Sequence, residues 1–110
     1  MISVELDMNA DTDILIVVTD DEGELVDFSD FKLILQVRAV KKGVNLLDEL
    51  STENGKLIVR NDGIVATFSA DKTIKYMVGT NYFDLLAIAT DGRKTRVCEG
   101  VIIANAEVTR

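Results

Sequence analysis

A period-two recurrence of apolar residues, broken at short intervals by Gly, Asn and Asp, limits what this chain can fold into more than any other feature. Over Lys32 to Ala39, Leu33, Leu35, Val37 and Ala39 fall on one side of an extended chain. Lys32, Gln36 and Arg38 fall on the other, and only Ile34 departs from the pattern. Successive side chains of a strand point to opposite faces, so this is the signature of a half-buried strand, whereas an amphipathic helix needs a 3.6-residue period. Ile2, Val4, Leu6 and Met8 alternate in the same way with Ser3, Glu5 and Asp7.

Two segments are apolar on both faces: Ile14 to Val18, and Tyr82 to Ala89, where Asp84 is the lone charge. Such strands suit a sheet whose second face is also covered, by another layer or by another subunit. Asp20-Asp21-Glu22-Gly23, Lys41-Lys42-Gly43, Asn54-Gly55, Asp62-Gly63 and Asp91-Gly92 separate the apolar runs. Asn-Gly and Asp-Gly tolerate the positive φ that tight hairpin turns require. Strands are therefore expected over Ile2 to Met8, Asp13 to Thr19, Lys32 to Val40, Val44 to Leu50, Lys56 to Arg60, Ile64 to Ser69, Asn81 to Thr90 and Thr95 to Ala104. Ser69 to Met77 reads instead as one or two helical turns, with Ser69 as cap, Asp71 near the positive end and Gly79 beyond the exit. Eight strands and a helical turn near 69–77 make an all-β sandwich or small barrel. With no proline, no flexible linker and no compositional shift, residues 1–110 are expected to form a single domain.

Hydrophobic residues make up 47% of the 110 residues against 28% charged, a balance that supports a packed core and excludes a disordered chain. The formal charge of -7 repels phosphate backbones and anionic head groups, so neither nucleic acid nor a membrane is an expected partner. The basic residues Lys41, Lys42, Arg93, Lys94 and Arg96 sit on or beside expected turns and read as solvated. Residues Met1 to Met8 lack the basic head and apolar stretch of a secretory signal, and no run approaches a membrane span. Synthesis in a cytoplasm is expected.

Without histidine the chain lacks the commonest general base and metal ligand, and Ser-His and Cys-His catalysis are excluded. The single cysteine, Cys98, permits no intrachain disulfide and no zinc site, and within its apolar run it reads as a small buried hydrophobe. No phosphate-binding glycine loop is present, so no cofactor is expected. Among the carboxylates, Asp11, Asp13, Asp20, Asp21 and Glu22 are the densest group. A strand from Asp13 to Thr19 would span about 20 Å and hold its two ends too far apart to share one ion. Asp20 to Glu22 reads as a solvated hairpin turn. Asp84 should share a face with Tyr82 and needs a partner such as Arg38, because a buried unpaired carboxylate is costly. Tyr82 stands near the start of its strand after the helical crossover, where Ig-like domains keep a tyrosine that bonds the backbone. No catalytic, cofactor-binding or metal-ligating residue is assigned.

Taken in order, several segments resemble a family of small proteins and domains of tailed bacteriophages and prophages. The series begins with Asp11-Thr12, Thr19-Asp20-Asp21-Glu22-Gly23, Val26-Asp27-Phe28-Ser29-Asp30-Phe31 and Gln36-Val37-Arg38. It continues with Ser51-Thr52, Asn54-Gly55, Ser69-Ala70-Asp71-Lys72-Thr73 and Asn81-Tyr82-Phe83-Asp84-Leu85. It closes with Asp91-Gly92, Glu99-Gly100-Val101 and Glu107-Val108-Thr109-Arg110. The family is similar to the Ig-like domain at the start of phage baseplate upper proteins. The chain departs from it at Asn9-Ala10-Asp11, where an aromatic residue and a glycine are usual, and at Val78-Gly79-Thr80 ahead of the tyrosine strand.

The resemblance implies an Ig-like antiparallel β-sandwich and a non-enzymatic virion protein of the tail or baseplate. Its expected partners are other virion proteins or further copies of itself. A head-decoration protein and a carbohydrate-binding, adhesin-like module are the alternatives. The latter would want exposed aromatic side chains, and aromatics are 5% of this chain with no tryptophan.

Overall fold

The computed structural model describes residues 2–41, 43 and 45–106. Met1, Lys42 of the expected basic pair, Val44 at the head of the fourth expected strand and the closing motif Glu107 to Arg110 lie outside the described residues. In chain order the elements are β1 (Ile2–Asp7), β2 (Thr12–Ile16), β3 (Lys32–Arg38), β4 (Asp48–Ser51), β5 (Leu57–Arg60), β6 (Gly63–Phe68), α1 (Ala70–Thr73), β7 (Gly79–Ile88) and β8 (Lys94–Asn105).

The strands form two sheets, ordered β1-β8-β7-β3-β4 and β2-β6-β5. Pairing is antiparallel except between β1 and β8, which run parallel with Ile2 opposite Gly100 and Asp7 opposite Asn105. The second, sixth and fifth strands in one layer, with the eighth, seventh, third and fourth side by side in the other, reproduce the B-E-D and G-F-C-C′ order of Ig-like sandwiches. The chain is thus an all-β, Ig-like sandwich, with its first strand on the outer edge of the larger sheet.

The alternation read from the sequence decides which face each strand buries. Leu33, Leu35 and Val37 of β3 turn inward, as do Leu50 of β4, Phe83 and Leu85 of β7 and Ile102 of β8. They meet Ile16, Leu57, Ile64, Ala66 and Phe68 of the smaller sheet in one core. Phe28, from the long β2–β3 connection, closes one end, and Tyr76, after α1, is buried with the same cluster.

Several boundaries differ from the expected ones for identifiable reasons. β2 leaves its sheet after Ile16 because its antiparallel partner β6 begins only at Gly63. The chain then folds into a local hairpin in which Thr19 bridges Leu25 and the Val26 N–H donates to the Val18 carbonyl at 3.0 Å. The strand expected over Val44 to Leu50 shortens to Asp48–Ser51, because β3 stops at Arg38 and the next residues turn, with the Gly43 N–H bonded to the Val40 carbonyl at 2.9 Å. Ser69 precedes α1 as expected but makes no side-chain cap. The Asp11 carboxylate, reaching over from the β1–β2 turn, accepts the Ala70 N–H at 2.7 Å in its place.

Gly100 occupies a position that only glycine fits. A Cβ there would run into the Ile2 carbonyl oxygen of the neighbouring strand and lie 2.7 Å from the Phe83 ring. Glycine inside a strand commonly marks such an approach. Gly100→Ala should therefore destabilise the protein by about 1–3 kcal/mol through overpacking, read as a lower denaturation midpoint with an unchanged slope.

The two faces of β3 give a sharper contrast. Leu35→Asp places a carboxylate in the core and should unfold the chain or cost about 3 kcal/mol or more. Gln36 lies half-buried on the outer face, between Asp84 and Glu49 across the two flanking strands. Gln36→Asp adds a like charge to that row and should cost about 1 kcal/mol or less. Equal losses in urea titrations of the two variants would contradict the face assignment.

Candidate functional site

The carboxylates singled out in the sequence are dispersed and hold backbone in place. One Asp20 oxygen accepts the Glu22 and Glu24 N–H groups at 2.9 and 3.0 Å, which makes the acidic stretch a self-bonded turn. Asp11 caps α1, and Asp13 accepts the Thr67 hydroxyl across the sheet at 2.8 Å. Among the described residues, no group of three or more acidic or cysteine side chains stands where it could hold a metal ion. The Ser29 backbone and side chain hydrogen-bond to Asp27 and hold its carboxyl below the usual carboxylate value.

Asp84 finds the partner expected for it and a second one. It lies on the outer face of the larger sheet, 3.7 Å from Arg38 and 3.6 Å from Arg96. Arg38 also donates to the Gln36 side chain at 3.0 Å, and Arg96 reaches Glu99 at 3.5 Å. Tyr82 shares this face with Asp84 and is half-buried. The bonds expected of a tyrosine at this corner are made by Asn81, which is fully buried. Its side-chain oxygen accepts the Met77 N–H and its amide donates to the Met77 carbonyl, both at 2.9 Å, with a third contact to the Ile102 carbonyl at 3.4 Å.

Asp48 is a buried carboxylate that pattern reading did not single out. It accepts the Tyr76 hydroxyl at 2.9 Å and the Glu49 N–H at 2.8 Å, tying the edge strand β4 to the chain after α1. Burial first, then the Asp48 charge, push the Tyr76 phenol above its ordinary value, so at neutral pH it is the donor of this bond. Among the described residues every buried side-chain nitrogen or oxygen has a hydrogen-bond partner. These polar groups are accounted for by the fold.

Two surface features remain. A cleft of about 280 Å³ opens between the β2–β3 connection and the β5–β6 turn, with Ile16, Val18, Leu25, Val59 and Ile64 on its walls and Arg60 at its rim. The outer face of the smaller sheet carries the second. Leu15, Val65 and Ile58 are in register across β2, β6 and β5 and form one aliphatic row. Leu15 is 46% and Ile58 52% exposed, and Val17 beyond them is 52% exposed.

This face differs from the outer face of β7, the other segment that is apolar on both sides. Tyr82 and Leu86 there are only partly exposed and stand directly across from Arg38 and Arg96. Ile74 and Met77, near the helical turn, are about half exposed themselves. Cys98 is half-buried against the core, a milder burial than its apolar run suggests. Burial first, then the Asp84 charge, raise its thiol above the ordinary value of 9.0.

No family model matches the chain, and no curated protein matches it. Among solved structures it is similar to the Drosophila OTK extracellular domains 3-5, with 12% identity and a TM-score of 0.40. The match covers 93% of this chain and 32% of that one, so the chain spans about a third of that structure's length.

Two outcomes follow from these environments. Tyr76→Phe removes one of the two donors to a buried carboxylate and should cost about 1–3 kcal/mol; a melting temperature equal to that of the unaltered protein would contradict a tie between Asp48 and the crossover. Because the thiolate is the reactive form, Cys98 should be alkylated by iodoacetamide at pH 7.5 more slowly than an unhindered thiol. Its rate should rise with pH and should reach its plateau at higher pH than that of an unhindered thiol, the direction that a raised thiol value requires.

Proposed function

We propose that this chain is a non-enzymatic structural protein of a phage or prophage particle, associated with the tail or baseplate. It works by burying surface against neighbouring virion proteins. The observation that carries the reading is the aliphatic row Leu15, Val65 and Ile58 on the outer face of the smaller sheet, where Leu15 and Ile58 are about half exposed. A two-layer sandwich buries one face of each sheet, and exposed apolar patches on soluble proteins mark contact surfaces. The ordered series of segments shared with phage Ig-like proteins supplies the kind of assembly. The charge of -7 favours a protein partner over nucleic acid or an anionic lipid surface.

The test is to induce particle production in the source cell, purify the particles, separate heads from tails and quantify this chain by mass spectrometry. Recovery with tails or baseplates at a fixed copy number is expected. Recovery with heads alone would favour a head-decoration role, and absence from particles would contradict the proposal.

A further inference from the structure

The outer face of the smaller sheet carries a charge layout as well as an apolar row. Asp13 pairs with Thr67 in register, and the Thr67 N–H donates to the Lys56 carbonyl at 2.8 Å, which extends the ladder by one position. Side chains alternate along each strand, so the outward positions are Asp13, Thr67 and Lys56 in one row, Leu15, Val65 and Ile58 in the next, and Gly63 with Arg60 in the last, Val17 lying just beyond the end of β2. Asp13 therefore stands at one corner of the β2 edge and Lys56 at the matching corner of the β5 edge. Arg60 is paired with Asp62 at 3.4 Å. The charges on this face cancel, in a chain whose total is -7.

We infer that the occupant of this face is a second copy of the chain, packed sheet against sheet about a two-fold axis that runs parallel to the strands over β6. The inference deepens the interaction role proposed above and rests on it. Such an axis places the β2 edge of one copy over the β5 edge of the other and keeps the rows aligned. Leu15 then meets Ile58 of the second copy, Val65 meets Val65, and Asp13 meets Lys56, each unlike pair occurring twice. An axis perpendicular to the strands would instead stack Lys56 over Arg60, a like-charge contact. The charge layout thus selects one of the two symmetric packings, and it matches the aligned geometry of facing sheets.

The face is three strands wide, about 10 Å between its outer strands and about 17 Å along them. A standard stable interface takes about 800 Å² from each partner, more than this face offers. Pairing is accordingly weak and is populated at high concentration or where copies are held side by side in an array.

Sedimentation equilibrium from 10 µM to about 2 mM reads it directly. The weight-average mass should rise reversibly from 12.1 kDa toward twice that value. Ile58→Lys, at an exposed position, should remove the rise while leaving the melting curve unchanged. Asp13→Lys and Lys56→Asp should each weaken association several-fold, and the double variant Asp13→Lys/Lys56→Asp should restore most of it. A mass fixed at the monomer value up to 2 mM, a rise indifferent to Ile58→Lys, or a double variant no better than the singles would overturn the pairing. The unaltered chain separates this inference from the proposed function. A chain that stays monomeric up to 2 mM and is still recovered with tails sinks only the pairing, and a self-associating chain absent from particles sinks only the virion role.

Discussion

Each sheet of a two-layer sandwich can bury one face, and the rest of this structure depends on that limit. A strand with alternating residues meets it without conflict, as β3 does with Leu33, Leu35 and Val37 inside and Gln36 and Arg38 outside. A strand that is apolar on both sides cannot. On β7 the conflict is eased by cross-strand neighbours: Leu86 lies opposite Arg96 and Tyr82 opposite Arg38, and those arginines converge on Asp84. Long arginine side chains have apolar stems that can lie along such residues while the head group stays solvated or paired. On β2 no such residue stands beside Leu15, whose neighbours in register are Val65 and Ile58.

The polar groups inside the sandwich are concentrated at one end. The helical turn is held by Asp11 on the Ala70 N–H and by the Thr73 hydroxyl, which accepts the Asn9 N–H at 3.1 Å. Tyr76 reaches Asp48, and Asn81 bonds the backbone on both sides of it. These contacts pin the crossover between the two sheets to β4 and to the β1–β2 turn. The other end is more open: there the cleft beside Leu25 and Val59 lies under the β2–β3 connection.

Much of the fold was legible because period two and turn chemistry are local signals. All eight strands, the helical turn and the inward set of β3 follow from them, and so does Arg38 as a partner for Asp84. What escaped depends on residues distant in sequence. The Tyr76–Asp48 bond joins positions 28 residues apart, and nothing near either residue announces the other. Asn81 does the work expected of Tyr82 because the two are adjacent on a strand and point to opposite faces. Which one points inward depends on the register with Ile102 and Val101 across β8. Arg96 reaches Asp84 because the β7–β8 register shifts between Leu85 and Leu86, an irregularity that simple alternation does not contain. Sequence pattern also named two strands as apolar on both faces without ranking them; only the cross-strand neighbours distinguish the shaded face from the open one.

The central claim is that a second copy of the chain packs on the outer face of the smaller sheet. A methyl-resolved NMR dilution series on the intact chain addresses it residue by residue. The account predicts concentration-dependent shifts at the methyl groups of Leu15, Val65 and Ile58, with those of Leu86 and Ile88 on the opposite sheet unmoved. Shifts confined to Leu86 and Ile88, or a spectrum identical from micromolar to millimolar concentration, would contradict it.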